Sequence, residues 1–427
     1  MNERSRTRRD FIQNITIAVL TVSAVLLFAQ TQIYNLGASS TLTRIFSGPE
    51  VQSSSVITPQ MDASSPSAPV RVAVASTYGR YGDITTTTAD EDFLPLRQLL
   101  AQALGSAQAL TFSSAQAFQD ALNQTSAYYD FLSPLPLSVL AELAQTSINE
   151  DSVFARRLVL AEENGAVTLH LWNGTNRYYR SSTALSLEEL NAAVSQYELG
   201  NAFFAFEGTE AHTQEIAPYS LLSDEAPDLP QLSSVSSLSD TTLLLDSLHF
   251  NPNTQNRYWE SDTTEVISES NGRTLRLSSD GTVVYQSDND PTLSIQAAGE
   301  IPSLVEATTE VGLLLNDLFT PSMGDAEIYL EEIQQNGAAT TLRYGYQVGG
   351  VPVRFSDGQS AASVTLSGTT VSSMTLRIRQ YTVTEDSSLL LPLRQALAIA
   401  AGMAGTELSI GYADNGGDTV SATWLAD

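Results

Sequence analysis

The stretch from Tyr344 to Tyr381, YGYQVGGVPVRFSDGQSAASVTLSGTTVSSMTLRIRQY, decides the fold class because it consists of strand-like runs separated by tight turns. Gly-Gly, Asp-Gly and Ser-Gly pairs break the runs, and this pattern is typical of antiparallel hairpins. The stretch contains no histidine, cysteine or lysine, and Asp357 is its only carboxylate. It therefore predicts a sheet with almost no side chain that could carry out chemistry.

The segments around this stretch predict an α+β fold of about three units. These are an N-terminal α+β domain over residues 69–221, a middle helix-plus-antiparallel-sheet module over 241–299, and a C-terminal α+β module over 300–427. Residues 222–240 are rich in serine, aspartate and proline, which favours a linker.

The last two predicted units read as weak copies of one module. The similar runs LLLDSLHF, starting at residue 243, and LLLNDLF, starting at residue 313, are each followed by strands and an Asn-Gly turn. Chance similarity between leucine-rich helices is the alternative interpretation.

The residues before the first unit predict a membrane anchor and a tether. Residues 11–29 carry no charge and approach the ~20 residues that cross a bilayer as a helix. Four arginines precede them, which favours a cytoplasmic tail over residues 1–10 and an extracytoplasmic body. Residues 30–68 have the composition of a flexible linker. A cleaved signal peptide and a twin-arginine export signal are the alternatives, and both put the body on the same side.

One face of the predicted span is a candidate partner surface. Asn14, Ala18, Thr21, Val25 and Phe28 follow helical spacing. Small and hydroxyl-bearing side chains on one face are what packed transmembrane helices use. The alternative is that alanine and threonine are simply common in spans.

Composition excludes several classes of function. The formal charge is −28, and such an acidic surface repels nucleic acid. The absence of cysteine removes disulfides, thiol nucleophiles and cysteine metal sites. The absence of lysine removes P-loops, Schiff bases and Ser-x-x-Lys hydrolases.

No catalytic, cofactor-binding or metal-binding residue is predicted. His170, His212 and His249 fall in separate units without metal-ligand spacing, and no Gly-x-Ser-x-Gly motif is present. The carboxylate pairs Glu188-Glu189 and Glu331-Glu332 are interpreted as solvated surface, the second alternating along a strand. A glycosidase with two carboxylates facing each other across a cleft remains an open alternative.

Three aromatic pairs lie in strand-like runs, where alternation should bury one member and expose its neighbour. They are Tyr128-Tyr129, Tyr178-Tyr179 and Tyr258-Trp259. Exposed tyrosine and tryptophan can mark a partner surface, so Tyr178, Tyr258 and Trp259 are candidate contact residues. Ordinary cross-strand packing is the alternative.

Several short motifs resemble the YycH family. Phe250-Asn251-Pro252, the NGRTLR run starting at Asn271 and the run from Gly281 to Tyr285 are similar to family elements, and FLSPLPLSVLAEL resembles the first-domain helix. YGYQVGGVPVRF, the strand pair after it and Trp424 are similar to the sister YycI family.

The resemblance implies a regulatory protein and not an enzyme. YycH and YycI are single-span membrane proteins that associate with each other and with the sensor histidine kinase of the WalK/WalR cell-wall two-component system. It therefore implies a WalK-like kinase and a second, YycI-like regulator as partners, contacted through the span and the extracytoplasmic part, with no cofactor. An extracytoplasmic cell-wall-active enzyme, or a wall-binding or inhibitor module, is the alternative.

Overall fold

The computed structural model describes residues 71–83, 93–143, 148, 150–209, 211–223, 225–236, 238, 241–254, 256–288, 291–402 and 406–426. These residues form a mixed α+β fold in which antiparallel sheet predominates, which confirms the predicted class. No helix within these ranges is both long and apolar enough to cross a bilayer. The predicted tail, span and linker over residues 1–68 lie outside the described residues.

The first part of the chain forms a seven-stranded sheet, here called the N-terminal sheet. Its strands are β1 (Arg71–Ser76), β2 (Gly79–Asp83), β3 (Thr111–Ser113), β4 (Ser126–Pro136), β5 (Phe154–Glu163), β6 (Ala166–Trp172) and β7 (Tyr178–Ser182). They are ordered β2-β1-β4-β5-β6-β7-β3, which places β4 and β5 in the interior of the sheet.

Both faces of the N-terminal sheet are covered. The helices on one face are α1 (Leu94–Ser106), α3 (Leu137–Leu143) and α4 (Leu187–Val194). The other face carries α2 (Ala115–Leu122) and a small pair, β8 (Ala202–Phe204) with β9 (Leu221–Ser223). Tyr129 therefore enters the first core and Tyr128 the second, and both are buried. The prediction that one of them is exposed is wrong because it assumed a single buried face.

Local sequence explains the turns and helix starts of this part. Asn164 and Gly165 have φ of 52° and 83°, the left-handed pair that a two-residue hairpin turn between β5 and β6 requires. Ser186 and Glu189 form a capping box at the start of α4. The hydrogen bonds from Ser186 lower the pKa of the Glu189 carboxyl.

The second part of the chain forms a thirteen-stranded sheet, here called the C-terminal sheet. Its strands are β10 (Pro230–Ser236), β11 (Arg257–Ser261), β12 (Thr264–Ser268), β13 (Thr274–Ser278), β14 (Thr282–Gln286), β15 (Glu327–Asn336), β16 (Ala339–Val348), β17 (Val351–Phe355), β18 (Ala362–Ser367), β19 (Thr370–Arg377), β20 (Arg379–Ser387), β21 (Leu408–Asp414) and β22 (Thr419–Ala426). The path runs β11-β12-β13-β14-β19-β18-β16-β17-β21-β22-β10-β20, and β15 branches from β16.

The middle and C-terminal units share this one sheet. Helix α5 (Thr241–Ser247) precedes the meander β11-β12-β13-β14. Helix α6 (Leu304–Phe319) precedes β15-β16-β18-β19, from which β17 is an excursion. The two meanders join through their last strands, where Val284 of β14 lies opposite Thr375 of β19 in an antiparallel pair. Helices α5 and α6 pack against each other.

The linker predicted over residues 222–240 needs correction at β10. Leu232 and Ser234 of β10 are buried, and the strand pairs with both β20 and β22. The Arg379 guanidinium donates to Ser234 Oγ at 3.1 Å and pairs with the Asp414 carboxylate at 2.7 Å. A serine-rich composition is typical of linkers, but here a serine hydroxyl accepts a hydrogen bond from a buried guanidinium group.

A buried ion cluster joins the N-terminal sheet to the start of β21. Arg157 Nε donates to Asp130 Oδ2 at 3.0 Å, and its Nη2 donates to the Glu407 carboxylate. Arg156 reaches Glu407 at 2.8 Å, and Arg71 reaches it at 3.5 Å. Asp130, Arg157 and Glu407 are all nearly inaccessible to solvent. The cluster thus connects side chains about 250 residues apart in sequence.

Helix α7 (Leu393–Ala400) completes the junction between the two parts. Its buried residues Ala396, Leu397 and Ala400 pack with Ile216 and Leu222 from the segment that follows the N-terminal sheet. Next to this contact, the Ala217 N–H donates to the Thr406 carbonyl at 2.9 Å. Apolar packing and ion pairing therefore hold the same boundary.

Glu407→Gln should lower the free energy of unfolding by about 3 kcal/mol, because it leaves two buried arginines, Arg71 and Arg157, and the half-buried Arg156 with one carboxylate. Urea unfolding of the full-length chain, followed by circular dichroism, measures the loss. The matched control is Glu260→Gln, which removes an exposed pair with Arg276 and should cost at most about 1 kcal/mol. Equal losses in the two variants would contradict the role of the cluster.

Acid should weaken the fold through Asp130. Burial alone would raise the pKa of this carboxyl, but Arg157, Arg156 and Arg71 outweigh burial and hold the pKa well below its usual range. A pKa that is lower in the folded than in the unfolded chain stabilises the fold at neutral pH, and that stability is lost as the pH falls below about 4. Thermal melts between about pH 7 and pH 3 should show a shallower acid dependence in Asp130→Asn than in the unmodified chain. An unchanged slope would refute the assignment.

Candidate interaction surface

Strand β11 forms a free edge of the C-terminal sheet. Among the described strands it pairs only with β12, and all five of its residues are exposed. Exposed edges invite pairing with another chain, and proteins usually protect them with charge, bulges or cover. Strand β11 carries Arg257 and Glu260 and has a register shift between Trp259 and Ser261, but it also presents an aromatic pair, Tyr258 and Trp259.

Tyr258 and Trp259 lie on opposite faces of the sheet. Tyr258 is opposite Val266, whereas Trp259 is opposite Glu265 and so shares the face of Ile267 and Leu275, which α5 and α6 cover. We call the opposite face, which carries Tyr258, the outer face. The two side chains are 54% and 67% exposed. The prediction that alternation buries one of them is wrong because the helices do not extend over the edge strand.

The main chain of β11 also offers hydrogen-bonding groups at the edge. The Ser268 N–H donates to the Asn256 carbonyl at 3.0 Å, and Tyr258 lies opposite Val266 two residues further on. Because hydrogen-bonded and non-hydrogen-bonded pairs alternate along an antiparallel ladder, Arg257 and Trp259 turn their N–H and C=O groups away from β12. An added strand could pair with these groups up to Trp259, where the register of β11 shifts.

Two ion pairs fasten β11 to the sheet. Arg257 binds the Glu265 carboxylate through two hydrogen bonds of 2.8 and 2.9 Å, and the Glu265 hydrogen bond raises the pKa of the Arg257 guanidinium. On the outer face, Arg276 and Glu260 lie 3.4 Å apart. The edge is therefore an ordered strand.

The opposite end of the C-terminal sheet is less open to strand addition. Strand β20 carries the exposed carboxylates Glu385 and Asp386. The Val383 N–H of this strand already donates to the Asp325 carboxylate at 2.8 Å. Charge and an occupied donor protect this edge, whereas the charged residues of β11, Arg257 and Glu260, are taken up in ion pairs within the sheet.

Tyr178 does not join the surface around β11. It belongs to β7 of the N-terminal sheet, is half-buried, and packs with Trp172 and Phe118 at ring-centre distances of 6.4 and 5.8 Å. Tyr258 and Trp259 are thus both exposed on the edge strand, whereas Tyr178 lies in an aromatic cluster elsewhere. The predicted helix-face residues Asn14, Ala18, Thr21, Val25 and Phe28 lie outside the described residues.

Sequence reasoning missed a cleft on the C-terminal sheet. Glu331 and Glu332 line it together, although neighbours on a regular strand point to opposite faces. The register of β15 against β16 skips between Leu330 and Glu332, so Glu331 is the extra residue of a β-bulge. The interpretation that these carboxylates alternate is therefore wrong, and no sequence signal for the bulge is apparent.

Each cleft carboxylate is paired with an arginine. Arg354 binds Glu331, and Arg343 binds Glu332 at 2.8 Å. A glycosidase needs one proton-bearing carboxyl group beside the sugar, so these ion pairs do not have the form of such a centre.

The histidines show no site. His170 is buried in β6, where burial lowers the pKa of its imidazole, and His212 and His249 lie in separate segments. Across the described residues, no group of three or more histidine, aspartate or glutamate side chains is placed to hold a metal ion.

Comparison with protein-family models, with characterised proteins and with solved structures finds no match to this chain. The resemblance of its short motifs to the YycH family therefore stays a prediction.

Trp259→Phe should remove most of the tryptophan fluorescence that acrylamide can quench. Of the three tryptophans, Trp172 is 8% exposed and Trp424 is half-buried, whereas Trp259 is 67% exposed. Stern–Volmer titration of the full-length chain and the variant measures the difference. Quenching that is unchanged in the variant would show that β11 is covered.

Proposed function

We propose that this chain is a membrane-anchored extracytoplasmic regulator that acts on a sensor histidine kinase of a cell-wall two-component system. It works by protein–protein contact through its predicted span and through β11, without catalysing a reaction. A second single-span regulator is its expected companion. The chain shifts the kinase between signalling states because it binds one state more tightly than the other.

The exposed edge at β11 is the observation that supports this proposal most. Strand addition to a sheet edge gives affinity through main-chain hydrogen bonds and specificity through side chains. Arg257 and Trp259 supply the main-chain groups, and Tyr258 and Trp259 are residue types that often dominate binding energy at interfaces. The YycH-like motifs support the choice of a kinase as partner, and the uncharged residues 11–29 support anchoring.

Trp259→Ala should weaken recovery of the kinase at least tenfold, because tryptophans at interface centres often contribute about 2 kcal/mol or more. Full-length protein is cross-linked in its native membrane and purified in mild detergent, and the co-purified proteins are quantified by mass spectrometry. The matched control is Phe112→Ala, since Phe112 is another exposed aromatic on an edge strand, at 82% exposure.

A backbone test separates strand addition from side-chain contact. Arg257→Pro removes an outward N–H that β12 does not use, whereas Arg257→Ala retains it. Only the proline variant should lose the partner if a strand is added at this edge. Repeated recovery of the unmodified chain without a kinase, or equal recovery with Trp259→Ala, would overturn the proposal.

A cell-wall hydrolase is the second candidate: Glu331 and Glu332 converge on one cleft, and such an enzyme would have to act with both carboxylates paired to arginines. Truncation separates the two functions. A hydrolase formed by residues 30–427 would still release fragments from peptidoglycan and would lose that activity in Glu331→Gln. A regulator that needs its span would lose its effect on kinase phosphorylation when shortened to the same residues.

A further inference from the structure

The cleft that contains Glu331 and Glu332 has the volume of a ligand site. It encloses about 420 Å³ between the end of β4 and the strands β15, β16 and β17. Small-molecule pockets typically occupy ~300–1,000 Å³ and often lie where two structural units meet. One wall is apolar, with Leu132 and Pro134 of β4, and the other, formed by β15, β16 and β17, carries charge.

The ion pair between Arg354 and Glu331 forms the floor of the cleft. Arg354 binds the Glu331 carboxylate and also donates to the Tyr329 hydroxyl at 2.8 Å, while that hydroxyl donates to Glu331 at 3.0 Å. Burial raises the pKa of the Tyr329 hydroxyl, so it remains a neutral donor. Gly345 makes room for this group, since a Cβ there would lie 2.6 Å from Glu331 Oε1.

The outer ion pair is exposed and can be exchanged. Arg343 and Glu332 lie 2.8 Å apart with side chains 44% and 42% exposed. Such a pair contributes at most about 1 kcal/mol, so a ligand with two opposite charges can replace both partners at little cost. Gln334 also donates to Glu332 and holds that carboxylate in place.

The apolar wall is set before any ligand arrives. Leu132 has a φ of 63°, an uncommon conformation for a residue with a side chain, and such backbone strain concentrates at ligand clamps. Its N–H donates to Asp130 Oδ1 at 2.9 Å, which ties the wall to the buried ion cluster. The neighbouring Ser133 hydroxyl donates to the Leu330 carbonyl of β15 at 3.1 Å.

We propose that this cleft binds a free amino acid or short peptide that carries both an ammonium and a carboxylate group. The ligand carboxylate binds Arg343, its ammonium binds Glu332, and its body packs against Leu132 and Pro134. Arg354, Glu331 and Tyr329 form the floor. This inference goes beyond regulation of a kinase and does not depend on it.

Isothermal titration calorimetry of the full-length chain in detergent tests the proposal with two probes. L-alanyl-L-alanine carries both charges, and N-acetyl-L-alanyl-L-alanine amide has the same body without them. The free dipeptide should bind saturably at one site, and the blocked dipeptide should bind at least about tenfold more weakly, because each charged hydrogen bond adds to affinity. This comparison needs no variant and is unaffected by any change in folding.

Matched variants locate the site. Arg343→Gln should weaken binding of L-alanyl-L-alanine at least about tenfold, whereas Arg276→Gln should leave it unchanged. Arg276 forms a similarly exposed cross-strand pair with Glu260 that does not line the cleft. No saturable heat up to about 10 mM, equal affinity for the blocked dipeptide, or equal losses in both variants would each overturn the proposal. Kinase recovery is measured separately, so either idea can fail alone.

Discussion

The guanidinium of Arg157 between the carboxylates of Asp130 and Glu407 is the contact on which the arrangement of the two sheets depends. A buried charge is tolerated only when it is paired and hydrogen-bonded. Arg157, on the interior strand β5, therefore needs the carboxylate of Glu407, which directly precedes β21. Strand β21 then pairs with β17 and β22, and β22 pairs with β10. Because β21 pairs with β17, the position of Glu407 helps to place the part of β17 that lines the cleft containing Glu331 and Glu332. Asp130 acts from the other side, because it also fixes the backbone at Leu132. One ion cluster thus supports both walls of the cleft.

Much of the local fold could be predicted from the sequence because its signals are local. The Asn164-Gly165 turn and the Ser186 capping box, for example, each depend on residues that are close together in the sequence. Long-range pairing leaves no such signal. The junction of β14 with β19 unites two predicted units, and nothing in Thr282–Gln286 identifies its partner. The sequence of β10 resembles a linker because it is rich in serine. One of these serines, Ser234, in fact accepts a hydrogen bond from a buried arginine.

The candidate surface was predicted in part. Tyr258 and Trp259 stand out as an aromatic pair, but only the sheet order reveals that they occupy an edge and are therefore both exposed. The charged cleft was missed because it depends on one skipped residue in the ladder between β15 and β16. A bulge moves a side chain to the other face of the strand, but it changes the composition and the hydrophobic periodicity too little to be detected in the sequence. Tyr178 lies apart from this edge, half-buried and in contact with Phe118 and Trp172.

The span of sequence that separates Arg157 from Glu407 also determines when the chain can finish folding. Loops of this length close slowly, and contacts between distant residues form late. The N-terminal sheet holds three arginines whose shared carboxylate, Glu407, is made 250 residues after Arg157. Strand β10 likewise waits for β20 and β22 before its main-chain groups are paired. Until β20, β21 and β22 are made, both sheets carry unpaired charge or unpaired edges, so a nascent or truncated chain is the form most exposed to aggregation and proteolysis.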